Sequence, residues 1–428
     1  MRNILALALF AAGGLSAADP TYSREIARIT QSKCQQCHRP NDIAPFALMN
    51  YSDASTNAED IKRVVSEKIM PPWKPVPGHG EFTNSYGLTD EERQTIIDWV
   101  NAGSPEGDTN DLPEAAPEKG EWQLGDPDLV LEMPEVYTVP RRQDVYRCFV
   151  IPTGLDADKF VSAVQVLPGN KQIVHHVLLF VDSTGQAEQL DAAEEGPGYT
   201  CYGGPGIDGS QGGIASILDL VSGLGGWVPG TRIQPLPEGV AIGLPKKAKI
   251  VMQVHYYPAG RPGPDQTRIG LYFSKAPVKQ RLRYIPIVNT TFKIPPGESA
   301  KVVTQNFRIP FLFDAKAYQI APHMHLLGRQ IKVEFENRGE RQDLIYIDDW
   351  DFNWQGFYNF VEPVNLPAGS NLKLTCTFDN TAGNPKNPSD PLRVVGWGEG
   401  TQDEMCLAFL GVTLNIENLS TSFQPRVQ

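Results

Sequence analysis

The chain changes its hydrophobic rhythm once. Up to about residue 103, apolar positions recur at helical spacing. Tyr22 to Lys33 sets Ile26 and Ile29 on one face, and Ile61, Val64, Val65 and Ile69 fall at offsets 0, 3, 4 and 8. Thr89 followed three residues later by Glu92 is a capping box. The helix it opens carries Ile96, Ile97 and Val100, and Gly103 can end it. From Trp122 onward the pattern is that of strands. Period two and short apolar runs such as YRCFVIP, QIVHHVLLFV, AKIVMQVHYY and LKLTCTF alternate with Gly and Pro turns. Roughly 300 residues of this exceed one sandwich, so two all-β, jelly-roll-like sandwiches are expected. The boundaries predicted are a small all-α domain over 19–103, a linker over 104–121, and sandwiches over 122–275 and 276–428.

The linker reads SPEGDTNDLPEAAPEKGE, with six acids, one Lys and three Pro. Such a stretch cannot bury a core and is expected to be extended. Residues 196–230 hold twelve glycines, which predicts a long loop that Cys201 would staple down. The first residues carry Arg2, an apolar run from Ile4 to Leu15, and the small residues Ser16, Ala17 and Ala18. This is the pattern of a secretory signal peptide over 1–18. Its apolar run is shorter than the ~20 residues of a spanning helix. The expected address is the periplasm or another exported location, with no membrane span. Lys+Arg 38 against Asp+Glu 50 gives a net charge of −12. That balance argues against nucleic-acid or anionic-membrane partners, which need clustered positive charge.

Six cysteines change the picture further. Two lie in Cys34-Gln35-Gln36-Cys37-His38, the spacing of covalent c-type haem attachment. Two thioethers would fix one haem c and His38 would ligate its iron. Met70, on the Pro-stiffened Ile69-Met70-Pro71-Pro72-Trp73 loop, is the candidate distal ligand, with Met49 as its rival. The helical region therefore reads as a small cytochrome c domain.

Five histidines lie in or beside predicted strands: His175, His176, His255, His323 and His325. His323 and His325 are two apart, so a strand projects both to one face. His175 and His176 are adjacent and can share a metal only at a bulge or strand end. His79 sits in a Pro-Gly loop and reads as an exposed loop residue. Imidazole suits copper, zinc and iron alike, whereas a thioether selects copper. Met405, in Asp403-Glu404-Met405-Cys406, is the candidate thioether; its alternative is a place in the core.

Four motifs in register resemble those of the type II copper monooxygenases. They are His175-His176, Gln253-Val254-His255-Tyr256, His323-Met324-His325-Leu326-Leu327-Gly328 and Asp403-Glu404-Met405-Cys406, and the likeness covers roughly residues 125–425. The resemblance implies two copper ions, one held by His175, His176 and His255, the other by His323, His325 and Met405. The second would activate O2, and the two would face each other across a solvent cleft. It also implies hydroxylation of a substrate C–H bond. In the peptide-processing members an Arg anchors the substrate carboxylate and an Asn and a Tyr also contact substrate; these positions are here Ala321, Leu407 and Phe409. No buried cation replaces them, so the expected small-molecule substrate is neutral or apolar.

The haem domain would supply electrons within the same chain at ~mM effective concentration, from an upstream donor of no class the sequence names. A non-catalytic haem and copper electron-transfer or copper-binding protein is the alternative. A zinc hydrolase fits less well, because zinc has no redox role. The remaining four cysteines allow three connectivities. Cys148 with Cys201 and Cys376 with Cys406 are favoured, since each pair closes within one sandwich, and an exported chain oxidises such pairs.

Overall fold

The computed structural model describes residues 19–419 apart from 41, 84, 116–119, 141–144, 202–203, 208–222, 258–262 and 399. The expected leader, residues 1–18, lies outside the described residues. The chain divides into two compact units: Met1–Pro71 with Tyr86–Ala116, and Pro72–Ser85 with Pro117–Gln428.

The first unit is helical. A π turn over Tyr22–Ile26 runs into helix Ala27–Lys33, followed by Tyr51–Thr56, Ala58–Ser66 and Asp90–Asn101. Ile26, Ile29, Ala54, Val65, Ile96 and Trp99 form its core. The Thr89–Glu92 capping box is present in both directions. Helix Ala58–Ser66 stops short of Ile69, which is 42% exposed. Lys68 takes a left-handed φ of 56°, and the N–H groups of Ile69 and Met70 turn back to the Val64 carbonyl.

The acidic stretch is not the free extended linker that its composition suggests. The Pro105 and Glu106 carbonyls accept the Tyr22 and Ser23 N–H groups, each at 2.9 Å. Trp99 Nε1 donates to Pro105 O at 3.0 Å, and Arg28 and Gln31 donate to the Asp111 and Glu114 carbonyls. The reason is local: the open N–H groups of a helix start need acceptors, and this segment supplies them.

Residues 72–85 depart from the expected boundary of 19–103, because they pack with the β unit. Their Pro and Gly content prevents a helix but leaves backbone groups to pair. Pro75 bridges to Ile347 and Phe82 to Phe360. Val76 N–H donates to Tyr346 O at 2.8 Å, and Thr83 N–H to Asn359 O at 2.9 Å. Ile347 and Phe360 belong to the edge strands of two sheets, so this strap covers groups an edge would otherwise expose. His79 is consequently not a free loop residue. Its Nδ1 lies 2.5 Å from Asp343 Oδ2.

The β unit contains two sandwiches. One sheet of the first orders Leu129–Glu132, Arg268–Phe273, Lys159–Leu167, Val240–Leu244 and Gln280–Arg281. The facing sheet orders Tyr199–Thr200, Val145–Pro152, Lys249–Tyr256, Val174–Asp182 and Gly223–Trp227. Val161, Leu179, Ile250 and Leu271 fill the space between them. In the second sandwich, Arg283–Asn289, Cys406–Leu414, Ala315–His323 and Tyr358–Leu366 form one sheet. Lys301–Arg308, Asn371–Phe378, Gly328–Asn337 and Glu340–Ile347 form the other, over a core that includes Ile331, Leu374 and Leu410.

The chain passes between sandwiches at Leu282, later than the expected 276, because Gln280 and Arg281 still pair with Val240 and Ala241. The expected loop over 196–230 falls in part outside the described residues, and its described end is not all loop. Gly223–Trp227 is a strand that no side-chain alternation announces, and a Cβ at Gly223 would come within 3.0 Å of the Tyr284 ring. Both favoured disulfides are present, Cys148–Cys201 and Cys376–Cys406. Among the described residues, no helix is long and apolar enough to cross a membrane.

Candidate metal centre

The first histidine group is a product of strand register. His176 lies directly opposite His255 on the neighbouring strand, and the pairing shifts between Val174 and His176. That irregularity is the bulge an adjacent pair requires. It brings His175, His176 and His255 together with one ring nitrogen of each within 4.8 Å of the others. The Nδ1 atoms of His175 and His176 are 3.1 Å apart. Tyr146 stacks on His255 at 4.1 Å between centroids and 7° between planes. Burial first, and then the neighbouring imidazoles, push the His176 pKa well below its ordinary value. Three converging imidazoles form a donor set that fits a metal such as copper.

The second group sits where strand Ala315–His323 ends. Met324 turns into the core and is fully buried, while His323 and His325 bring their rings to 5.1 Å at 89°. His325 Nδ1 lies 3.1 Å from the Asp403 carbonyl, so that nitrogen carries the proton and Nε2 keeps the lone pair. His323 Nδ1 is bonded to Gln355 Oε1, with the same consequence. Burial lowers the His323 pKa to about 4, against the opposing effect of the Gln355 bond.

Glu404 is fully buried and ties the group together. It accepts the N–H groups of His325 at 2.9 Å, Leu327 at 2.5 Å and Met405 at 3.2 Å. Burial raises its pKa to about 8, although those backbone bonds favour the carboxylate. Met405 lies just before strand Cys406–Leu414 and shares a cavity wall with His323 and His325. The Cys376–Cys406 disulfide joins the two sheets behind it. Two imidazoles with oriented lone pairs and a thioether also fit copper.

The two groups lie close to each other. The rings of His176 and His323 are 6.4 Å apart. Phe352 touches both groups, stacked on His175 at 4.6 Å and edge-on to His325 at 5.7 Å. A cavity of about 1170 Å³ runs alongside and opens on His176, His323, His325 and Met405. Ala321, Leu407 and Phe409 line it. Ala321 pairs with Phe409 and His323 with Leu407, so strand alternation puts all four on one face.

Sequence reasoning passed over Tyr146, Phe352 and Gln355, none of which is a usual metal donor. The signal for the latter two is the aromatic-rich run Trp350-Asp351-Phe352-Asn353-Trp354-Gln355-Gly356-Phe357 shortly after the H-x-H pair. It named Glu404 within its motif without giving it work.

In the helical unit, His38 Nδ1 lies 3.0 Å from the Phe46 carbonyl, and the two rings are 4.9 Å apart. Burial lowers the His38 pKa while the carbonyl opposes the shift. Nδ1 thus donates, and Nε2 keeps the lone pair that axial ligation requires. Cys34 and Cys37 are half-buried and lie outside the two disulfides. Met70 is partly buried, whereas Met49 is 45% exposed.

Residues 288–417 match the family model described as copper type II ascorbate-dependent monooxygenase, C-terminal domain. The chain is also similar to DBH-like monooxygenase protein 1 of Mus musculus, 25% identical over 64% of this chain and 45% of that protein. The Homo sapiens protein of the same name is 24% identical over the same shares. Both likenesses are to monooxygenases, the first to the C-terminal domain of the copper type II kind. The chain matches less than half the length of these curated relatives. Among solved structures, the major capsid protein P2 from Bacteriophage PM2 aligns with 66% of this chain and 96% of that one, at a TM-score of 0.26.

Proposed function

We propose that this chain is an exported monooxygenase that hydroxylates a C–H bond of a small neutral or apolar molecule with O2. In this reading His175, His176 and His255 hold one copper, and His323, His325 and Met405 hold the other. Copper held there would supply one-electron redox chemistry and O2 activation, and a haem c held by Cys34, Cys37, His38 and Met70 would supply electrons.

The observation that carries the reading is the shared cavity wall. Two oriented imidazoles and a thioether border it, and Ala321, Leu407 and Phe409 form its floor beside them. Apolar side chains shed water readily, so an uncharged substrate gains by burial there, whereas a carboxylate would lose solvation beside these three residues. Of the cationic groups on the wall, Arg281 and Arg283 are already paired with Glu417.

Stopped-flow reoxidation of the reduced haem by O2, with copper loaded or stripped, tests the whole reading. Faster reoxidation with copper is expected. Equal rates would remove the haem from the path to oxygen, and an absence of bound haem would remove it from the protein.

A further inference from the structure

One short turn of the second sandwich touches both histidine groups. It runs from Trp350 to Gln355, between strands Glu340–Ile347 and Tyr358–Leu366. Trp350 Nε1 donates to the His325 carbonyl at 3.2 Å. Phe352 stacks on His175 and meets His325 edge-on. Gln355 Oε1 accepts the proton of His323 Nδ1. The amide of Gln355 is itself oriented, because its Nε2 donates to the Phe352 carbonyl at 2.9 Å. That bond fixes the carboxamide oxygen, not the nitrogen, toward the imidazole. All three side chains are buried, with Gln355 9% exposed and Phe352 2%.

We propose that the Trp350–Gln355 turn is a positioning element for the metal centre, in which Gln355 holds His323 as the Nδ1–H tautomer with Nε2 turned to the metal. This rests on the copper reading above. In this arrangement Gln355 acts on the metal through His323. The physical case is the cost of disorder. An imidazole can carry its neutral proton on either nitrogen and can flip its ring. A buried acceptor bonded to one nitrogen removes both freedoms before metal arrives. Phe352 extends the same restraint to the other group, since its ring packs flat on His175. The turn thereby registers one sandwich's histidines against the other's.

The test compares Gln355→Leu and Gln355→Glu with the unaltered protein. Leucine keeps much of the volume and removes the acceptor, while glutamate keeps an oxygen in place. In copper-free protein, nitrogen-15 NMR of labelled histidine reads the His323 tautomer directly. The unaltered protein should show a single Nδ1–H form, Gln355→Leu a mixture, and Gln355→Glu the single form again. With copper added, competition against a chelator should show the second copper held roughly 10- to 100-fold more weakly in Gln355→Leu. The first copper should be unchanged, and thermal unfolding of the copper-free variants controls for folding. A Gln355→Leu protein with an unaltered tautomer and unaltered affinity overturns the assignment of Gln355. An unaltered protein that takes up no second copper overturns the functional reading, and the assignment with it.

Discussion

The group at His175, His176 and His255 takes its shape from strand register and ring stacking, whereas the group at His323 and His325 takes its shape from hydrogen bonds. In the first, a bulge and two adjacent strands converge the nitrogens, and Tyr146 and Phe352 lie flat against two of the rings. In the second, the strand runs out, and Gln355, the Asp403 carbonyl and Glu404 orient the ligands at its end. Register is set by the whole sheet, so the first group should resist single changes outside its ligands and the rings stacked on them. The second depends on a few polar contacts and should be sensitive to each.

The largest expected effect is the loss of a ligand. His176→Ala and His323→Ala should each reduce bound copper from two ions to about one per chain, measured by metal analysis after dialysis. If either variant keeps both ions, the two-group reading fails. Next is the disulfide behind Met405. Cys376→Ser with Cys406→Ser should cost about 2–5 kcal/mol in denaturant unfolding and weaken only the second copper. Equal weakening of both coppers would erase the contrast. Phe352→Leu is expected to remove a stacking contribution of about 0.5–1.5 kcal/mol and to loosen both groups together. Chelator competition would show whether only one responds.

The smallest effect concerns pH. Burial alone would raise the Glu417 pKa, but bonds from Arg283 and Arg281 outweigh it and hold the carboxyl down to about 2. A depressed carboxyl stabilises the fold above its ordinary value near ~4.3. That contribution is lost as pH falls from there toward about 2. Glu417→Gln should therefore lower Tm at neutral pH and flatten the loss of stability over that acidic range. A variant with an unchanged acid profile would count against the clamp that joins Arg281 of one sandwich to Glu417 of the other.

The same divide separates the features legible in the sequence from those it hid. Strand alternation pointed to β-sandwiches, because period two is written in side chains. The adjacent pair His175 and His176 announced its own bulge. Gly223–Trp227 was missed because glycines pair through backbone and leave no alternation. Residues 72–85 were missed for a related reason: Pro75 and Phe82 bridge to the edges of two sheets from a segment with no period of its own. Gln355 was invisible because its part depends on a partner 32 positions away, and one amide in a turn carries no motif.

The strap formed by residues 72–85 also changes how the protein can be taken apart. The chain crosses between its two units three times, after Pro71, after Ser85 and after Ala116. After a proteolytic nick following Ala116, the helical unit would still be held through the strap's backbone pairing with the β unit. A fragment beginning at Trp122, the natural choice from sequence, would lack the strap and bare the edge strands Glu340–Ile347 and Tyr358–Leu366 to pairing with other chains. In architectural terms, the strap makes the helical unit a guest stitched into its host's chain and not a bead on its leading end.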